Sequence, residues 1–374
     1  TVETTQQSGF RRTMDGLYDS APDDRPHVVS IDTRATQAMI DTGFFVPAHE
    51  TIAQDDFDVS ALLPASVAQL STDAGLQAIP YRPRIGLSFL NLDVLREGGV
   101  ELDEQTDWTT ADLLDACDDI QGLIDFCMTY DRPVQVFEHL LGTSGGMYVD
   151  NDNGRTGRAT AVAFDDEPAA ALLDFFVETQ FGGVADFGNN GRGNFDAFEA
   201  GEVAIGFANS TELPRLQRLV DDGTITFDLG VAALPRLTPA DRSGAHLSGH
   251  VLWHLDADDA RERIAAWLLI EFMVAPEQSA TFHRSGSAAL NLGAADVLGE
   301  FWAENPMFEF VFRHVEAAEP VLGDGSPDHA ASGALLGPHD EVVGVFTDTL
   351  AEILKRTDPA EASSAISEMI DAAN

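Results

Sequence analysis

From His27 onward, short apolar runs of strand length alternate with segments whose apolar residues recur at helical spacing. His27–Asp32 (HVVSID) has the look of a buried strand, and Arg34–Asp41 of a helix ended by Gly43. Tyr81–Leu90 (YRPRIGLSFL) is a second apolar strand, followed by a short helix, Asn91–Glu97, closed by Gly98-Gly99. Trp108–Ile120 is helical, with Thr109 or Thr110 as its cap. Pro168–Thr179 and Asn194–Ala200 have helical spacing, and Gly201–Phe207 and Phe227–Ala233 read as strands. His250–Leu255 is a strand that leads into a long amphipathic helix, Ala257–Val274, and His339–Lys355 and Pro359–Ala373 form a helical tail. Strands separated by helices imply an α/β fold with mostly parallel sheets. No internal repeat or low-complexity linker divides the chain, so it is expected to weave between lobes.

The chain has 374 residues, more than a single domain of roughly 100–200 usually contains, so two lobes are expected. No run of about 18 apolar residues is present to span a membrane. Charge narrows the partners. Asp and Glu number 63 against 21 Lys and Arg, a formal net charge of −42, and Lys355 is the only lysine. Self-repulsion of that size opposes the compact state unless salt screens it, which points to a halophilic protein with an acidic surface. A GC-rich genome would explain arginine in place of lysine, but not the excess of acid. Such a surface repels phosphate backbones, which argues against nucleic acid as a partner.

Several motifs carry little chemistry. His246, His250 and His254 would suit zinc on a helix, but Gly249 lies among them in a β-rich segment. Asp150-Asn151-Asp152-Asn153-Gly154 lacks the distal glutamate of a calcium loop and reads as a hairpin turn. The glycine-rich stretch Gly188–Gly193 has no GK[ST] end and no convincing strand before it. There is no G-x-S-x-G elbow and no H-E-x-x-H. Cys117 and Cys127 are too few for a disulfide framework; one disulfide and two buried thiols both remain open. We therefore expect no cofactor, no metal and no catalytic residue. An α/β glycoside hydrolase with paired carboxylates is the distant alternative.

Four segments, in order, resemble the extracellular solute-binding proteins of ABC importers, in the carbohydrate and glycerol-3-phosphate-binding branch. PHVVSIDTRATQAMIDTGFFVP (Pro26–Pro47) is similar to the family's strand, binding loop and helix ending in G-x-x-x-P. IGLSFLNLDVLREGGVEL followed by Trp108-Thr109-Thr110 resembles lyYNkdlf-kaGl…TWde. FDAFEAGEVAIGFANSTELPRL (Phe195–Leu216) matches the F-x-x-G-x-x-A-M unit with its ligand-facing loop. LPRL (Leu234–Leu237), GHVLWHL and AAWLLIEFMVAPEQSATFHRSGSAAL complete the set. The chain departs from the pattern in three places. The family's first strand and helix are not matched ahead of Thr1, so the first lobe is expected to lack part of its sheet or the chain to start inside the pattern. Leu290 stands where a proline is usual, and the tail has Leu335 near the position of a ligand-binding arginine.

The resemblance implies a two-lobed periplasmic-binding-protein-like fold, each lobe a mostly parallel sheet flanked by helices. One lobe would comprise residues 1–88 and 250–292, the other 89–249 and 293–374, with hinges near 86–91 and 247–252. It implies a monomeric receptor, extracellular and anchored by a lipid or a segment outside this sequence. That receptor closes on a sugar or polyol phosphate and delivers it to a membrane permease. Asp32 matches a carboxylate that accepts ligand hydroxyls, or it caps the next helix. Arg82 and Arg84 lie on the cleft strand, where guanidinium forks would suit phosphate or hydroxyls; an ion pair is the alternative. Tyr130 and Arg132 fall where the glycerol-phosphate branch has tryptophans, a change that weakens sugar stacking. Asn209 and Ser210 match the ligand loop, or cap the helix that follows. Gly249 and His250 match a Gly-Gly whose N–H groups face the ligand; glycine permits close approach and His250 can add a donor.

Overall fold

A computed structural model describes residue 3 and residues 10–102, 107–131, 133–163, 167–186, 195–241 and 246–354. The expected helix at 359–373, the stretch 188–193 and Arg132 lie outside the described residues. Nine strands are described: β1 (Val28–Asp32), β2 (Ser71–Thr72), β3 (Gly75–Leu76), β4 (Ile79–Asn91), β5 (Phe126–Tyr130), β6 (Ala185–Asp186), β7 (Val203–Asn209), β8 (Leu229–Ala233) and β9 (Leu247–His254). β2 and β3 form a small hairpin; the rest run in the order β1-β9-β4-β7-β5-β6, with β8 also paired to β4.

The architecture turns on β4. Its first half pairs antiparallel with β9, as far as Ile85 opposite Leu247. From Gly86, opposite Asn209, its second half pairs with β7, and it also pairs with β8. One strand of 13 residues therefore belongs to the sheets of both lobes. Pro80 and Pro83 cannot donate to the ladder, and the register shifts between Pro80 and Arg82. The mostly parallel sheets expected from the strand–helix alternation are not what forms. β1 and β4 run antiparallel to β9, and β7 and β8 antiparallel to β4; only the pairings of β5 with β6 and β7 are parallel. Alternation of elements sets their order, whereas strand direction is set by how the crossing strand is shared.

Three buried clusters follow. One, built on Met39, Ile79, Trp253 and Trp267, lies under the β1-β9-β4 sheet. A second, with Ile85, Leu87, Phe198 and Phe312, packs on the crossing region. The third, with Met128, Tyr130, Phe137 and Phe176, surrounds β5. Local signals act as read from the sequence. Thr109 caps the helix Thr110–Asp119 with a reciprocal bond to Asp112; Asn91, read as the first residue of a short helix, instead caps Leu92–Glu97. The helix Ala260–Met273 differs from its amphipathic reading. It buries Trp267 and Ile270 but leaves Ile264, Leu268 and Phe272 exposed at 61%, 56% and 56%.

Cys117 and Cys127 are joined in a disulfide, their Cα atoms 5.4 Å apart. Closing so short a loop removes unfolded-state entropy equivalent to about 2–3 kcal/mol. Asn151, Asp152 and Asn153 form a left-handed turn, with φ of 53°, 52° and 54°. Asn and Asp tolerate that region better than other residues. The turn joins Val149 to Val162, which bridge antiparallel. Asn153 Oδ1 accepts from the N–H groups of Tyr148 and Val149 at 2.8 and 3.0 Å. Asp150 accepts from Thr160, so this carboxyl closes the loop.

Candidate functional site

The carboxyl ends of β1, β5 and β7 converge, as expected where an α/β protein opens a crevice. Between them lies a cavity of about 920 Å³, open solvent included. Thr33, Arg34 and Thr36 face it from the turn after β1, Gln69 from the end of helix Pro64–Gln69, and Ser248 from β9. Across from them stand Asp131, just after β5, and Asn209, the last residue of β7. Gln135, Glu138 and His139 line it from the helix Pro133–Thr143, at the spacing that places three residues on one helical face. His246 and the loop Ser332–Leu335 close the floor, and His339 and Val343 come from the helix His339–Leu354.

The lining is rich in neutral hydrogen-bonding groups. Phe207 is its one phenyl or indole ring among the described residues, and it is 1% exposed. Asn209 Nδ2 donates to Gln135 Oε1 at 3.0 Å, so β7 and the helix are tied at the rim. The main-chain N–H of His246 donates to His139 Nδ1 at 3.2 Å. Burial pushes both imidazoles below the usual range, His139 well below, with His246 as its next cause.

Arg34 brings the only guanidinium to the described lining, and it is already paired. Its Nε donates to Asp32 Oδ1 at 2.8 Å, while Arg84 Nη2 donates to Asp32 Oδ2 at 2.6 Å. Burial alone would raise the Asp32 pKa; the charges of Arg34 and Arg84 outweigh it and hold the group below its ordinary 3.8. Stability from this triad is present above the carboxylate range and is lost as pH falls through the depressed folded value. Asp32→Asn is expected to cost about 2–3 kcal/mol at neutral pH, and progressively less at acid pH. Urea unfolding across that range checks this; an equal cost at every pH would remove the ion pair as the cause.

The structure sorts the expected site residues. Asn209 lines the cavity. Asp32 caps the following turn through Arg34 N (3.1 Å) and forms the triad, and Arg84 is in the ion pair that was its alternative. Arg82 reaches Ser285 Oγ at 3.2 Å and stands over the Phe282 ring, outside the cavity. Tyr130 needs correcting: it is fully buried, 5.0 Å from the Phe207 ring centre, with its hydroxyl 3.2 Å from Met128 Sδ. Its strand turns it into the core, and the next residue, Asp131, faces the cavity. Ser210 is likewise buried, its Oγ accepting from Ile85 N at 3.4 Å. Gly249 has φ +142°, and a Cβ there would lie 2.2 Å from the Arg82 carbonyl oxygen. Close approach is what it permits, but to β4 and not to the cavity. His250 pairs in register with Asp32, its Nδ1 3.4 Å from Ser30 Oγ. The three spaced histidines reach three different places, with His254 Nδ1 3.5 Å from Thr51 Oγ1.

Two lobes thus share a crossing strand, and a polar cavity opens where the ends of their strands meet. The sequence profile of the bacterial extracellular solute-binding proteins matches residues 1–309. The chain belongs to that family. Similar solved structures agree on the fold of this solute-binding protein. UgpB from Mycobacterium tuberculosis, in complex with glycerophosphocholine, superposes with a TM-score of 0.74 at 17% identity, covering 96% of this chain and 86% of that one. The cyclic alpha-maltosyl-1,6-maltose binding protein from Arthrobacter globiformis gives 0.73 at 16% identity, over 97% and 87%. An ABC transporter solute-binding protein from Agrobacterium radiobacter K84, in complex with ribitol, gives 0.71 at 14% identity, over 97% and 87%. No curated protein sequence matches. The family and these structural neighbours are binding proteins, not enzymes.

The solute-binding protein thus presents a lining that sequence reasoning mostly missed. Gln135, Glu138 and His139 had a signal: three polar residues on one face of the otherwise apolar PVQVFEHLLGT. Arg34 had one as well, beside Asp32 in the family's binding loop. Leu335 had one too, standing near the position of the family's ligand-binding arginine; Gln69, His246 and Ser332–Ala334 had none, because tertiary packing alone brings them to the cavity.

Proposed function

We propose that this protein is the extracellular receptor of an ABC importer, anchored at the membrane, which captures a neutral carbohydrate or polyol by closing its lobes. The observation that carries the reading is the inter-lobe cavity, lined by Thr33, Thr36, Gln69, Gln135, Asn209 and Ser248, with its one described guanidinium already paired to Asp32. Neutral donors and acceptors suit hydroxyls, and closure strengthens each bond by excluding water. Residues 1–88 with 250–292 would move against 89–249 with 293–374, bending where β4 changes partners between Ile85 and Gly86. The closed surface would then be read by the permease. Glycerophosphocholine in the UgpB structure favours a second reading, a polyol phosphate.

A thermal-shift screen in molar KCl separates the two. Ligand at about 100 times its Kd adds about 2.7 kcal/mol, a rise of about 3 °C in midpoint for a chain of this size. Maltose, larger α-glucans or ribitol are expected to give that rise, and glycerol 3-phosphate is not. A shift with glycerol 3-phosphate alone would transfer the assignment to the phosphate reading, and none with any of them would refute both.

A further inference from the structure

One wall of the cavity holds a glutamate and a histidine whose buried ring nitrogen has no hydrogen-bond partner. Glu138 Oε1 accepts from the main-chain N–H of Ala334 at 3.3 Å, which holds the carboxyl in place. His139, the next residue, accepts at Nδ1 from the N–H of His246, so its ring proton sits on Nε2. His246 Nε2 is buried and has no hydrogen-bond partner. It stands 3.6 Å from Glu138 Oε1, beyond the roughly 3.2 Å of an N–H···O bond. Glu138, His139 and His246 all line the cavity.

We infer that Glu138 and His246 form a hydroxyl-reading subsite, in which one ligand hydroxyl donates to Glu138 and accepts from His246 Nε2–H, and which turns phosphate away. The inference rests on the receptor reading above and adds to it the polarity of the ligand. Two groups 3.6 Å apart can both lie at about 2.8 Å from a single oxygen, the ordinary O–H···O distance. A hydroxyl offers one donor and acceptor lone pairs, which is what this pair of groups takes. A phosphate offers charge and acceptors. Here it would meet the Glu138 carboxylate, with Asp131 in the same cavity. The described lining brings no unengaged guanidinium to offset that charge. Both histidines are kept neutral by burial. Arg34 is paired to Asp32, and the Nη groups of Arg155, behind this wall, donate to main-chain carbonyls.

Calorimetric titration of the full chain with maltose, ribitol and glycerol 3-phosphate tests the inference, using the wild type, Glu138→Gln and His246→Gln. The wild type is expected to bind a neutral probe and to bind glycerol 3-phosphate at least tenfold more weakly. Glu138→Gln should weaken the neutral probe about tenfold and narrow that preference, because like-charge rejection goes with the charge. A merely structural role would weaken both probes alike. His246→Gln should weaken the neutral probe and leave the rejection of phosphate in place. Wild-type preference for glycerol 3-phosphate, or unchanged neutral affinity in both variants, would overturn the subsite and leave the receptor standing. Failure of every probe with the wild type would take down the receptor reading and the subsite with it. The wild-type preference also decides the matter if a variant does not fold.

Discussion

Replacing Arg155 with alanine is expected to destabilise the protein by about 4 kcal/mol or more, the range reserved for losing a buried polar network. Arg155 is 2% exposed and reaches four main-chain carbonyls. Nη1 donates to Asn153 at 3.1 Å and to Gly333, and Nη2 donates to Gln69 at 2.9 Å and Ser332 at 2.8 Å. Burial pulls its pKa down to about 10, opposed by the charge of Glu138, so it stays protonated at neutral pH. Each bond from a charged donor contributes about 1.5–3 kcal/mol on its own, although the four act as a unit and do not add. Alanine leaves the carbonyls unpaired in a dry site. Lysine restores one charge but not the planar fork, so Arg155→Lys should recover less than half of the loss. The four acceptors come from a helix end, a left-handed turn and the 332–333 loop, and two of those segments face the cavity. Ligand affinity should therefore fall along with stability. Chemical unfolding measures the effect; a loss under about 1 kcal/mol would mean that water replaces the side chain.

Salt should matter almost as much. Between about 0.1 M and 1 M KCl the Debye length falls from about 10 Å to about 3 Å, so most repulsion between surface carboxylates disappears in that interval. With 63 acidic residues against 21 basic ones, the melting temperature is expected to climb by about 10 °C or more across it. The gain should flatten above molar salt, where screening is nearly complete. That plateau separates screening from the salting-out effect of kosmotropic salts, which keeps growing with concentration. A melting temperature that does not change below molar KCl would show that the acidic residues are far enough apart to be tolerated, and the halophilic reading would fall.

Some of the site was legible before any tertiary structure. Asp32 as the cap of the turn after β1, Asn209 at the end of β7 and the family's ordered segments all rest on short stretches of chain. Tyr130 was misplaced by one residue, and in a strand one residue is a change of face. Arg82 and Arg84 lie two apart on β4 and so share a face, yet their long side chains reach different partners, Arg82 to Ser285 beside the Phe282 ring and Arg84 to Asp32. Gly249 was assigned the right property, close approach, with the wrong neighbour.

Legible in the chain alone were the α/β class, the family's ordered segments, the cap at Thr109 and the acidic character. Each of these is written in spacing, local hydrogen bonding or composition, within a few residues or over the chain as a whole. Packing over long chain distances settled the rest: β4 is shared between lobes, Cys117 meets Cys127, and Gln69, Glu138, His246 and Ser332 surround one cavity. Those residues are up to 263 positions apart in the numbering, from Gln69 to Ser332. No periodicity links positions so distant; they are brought together by the register of β4 with β9 and β7, and by one buried arginine that ties three separate segments.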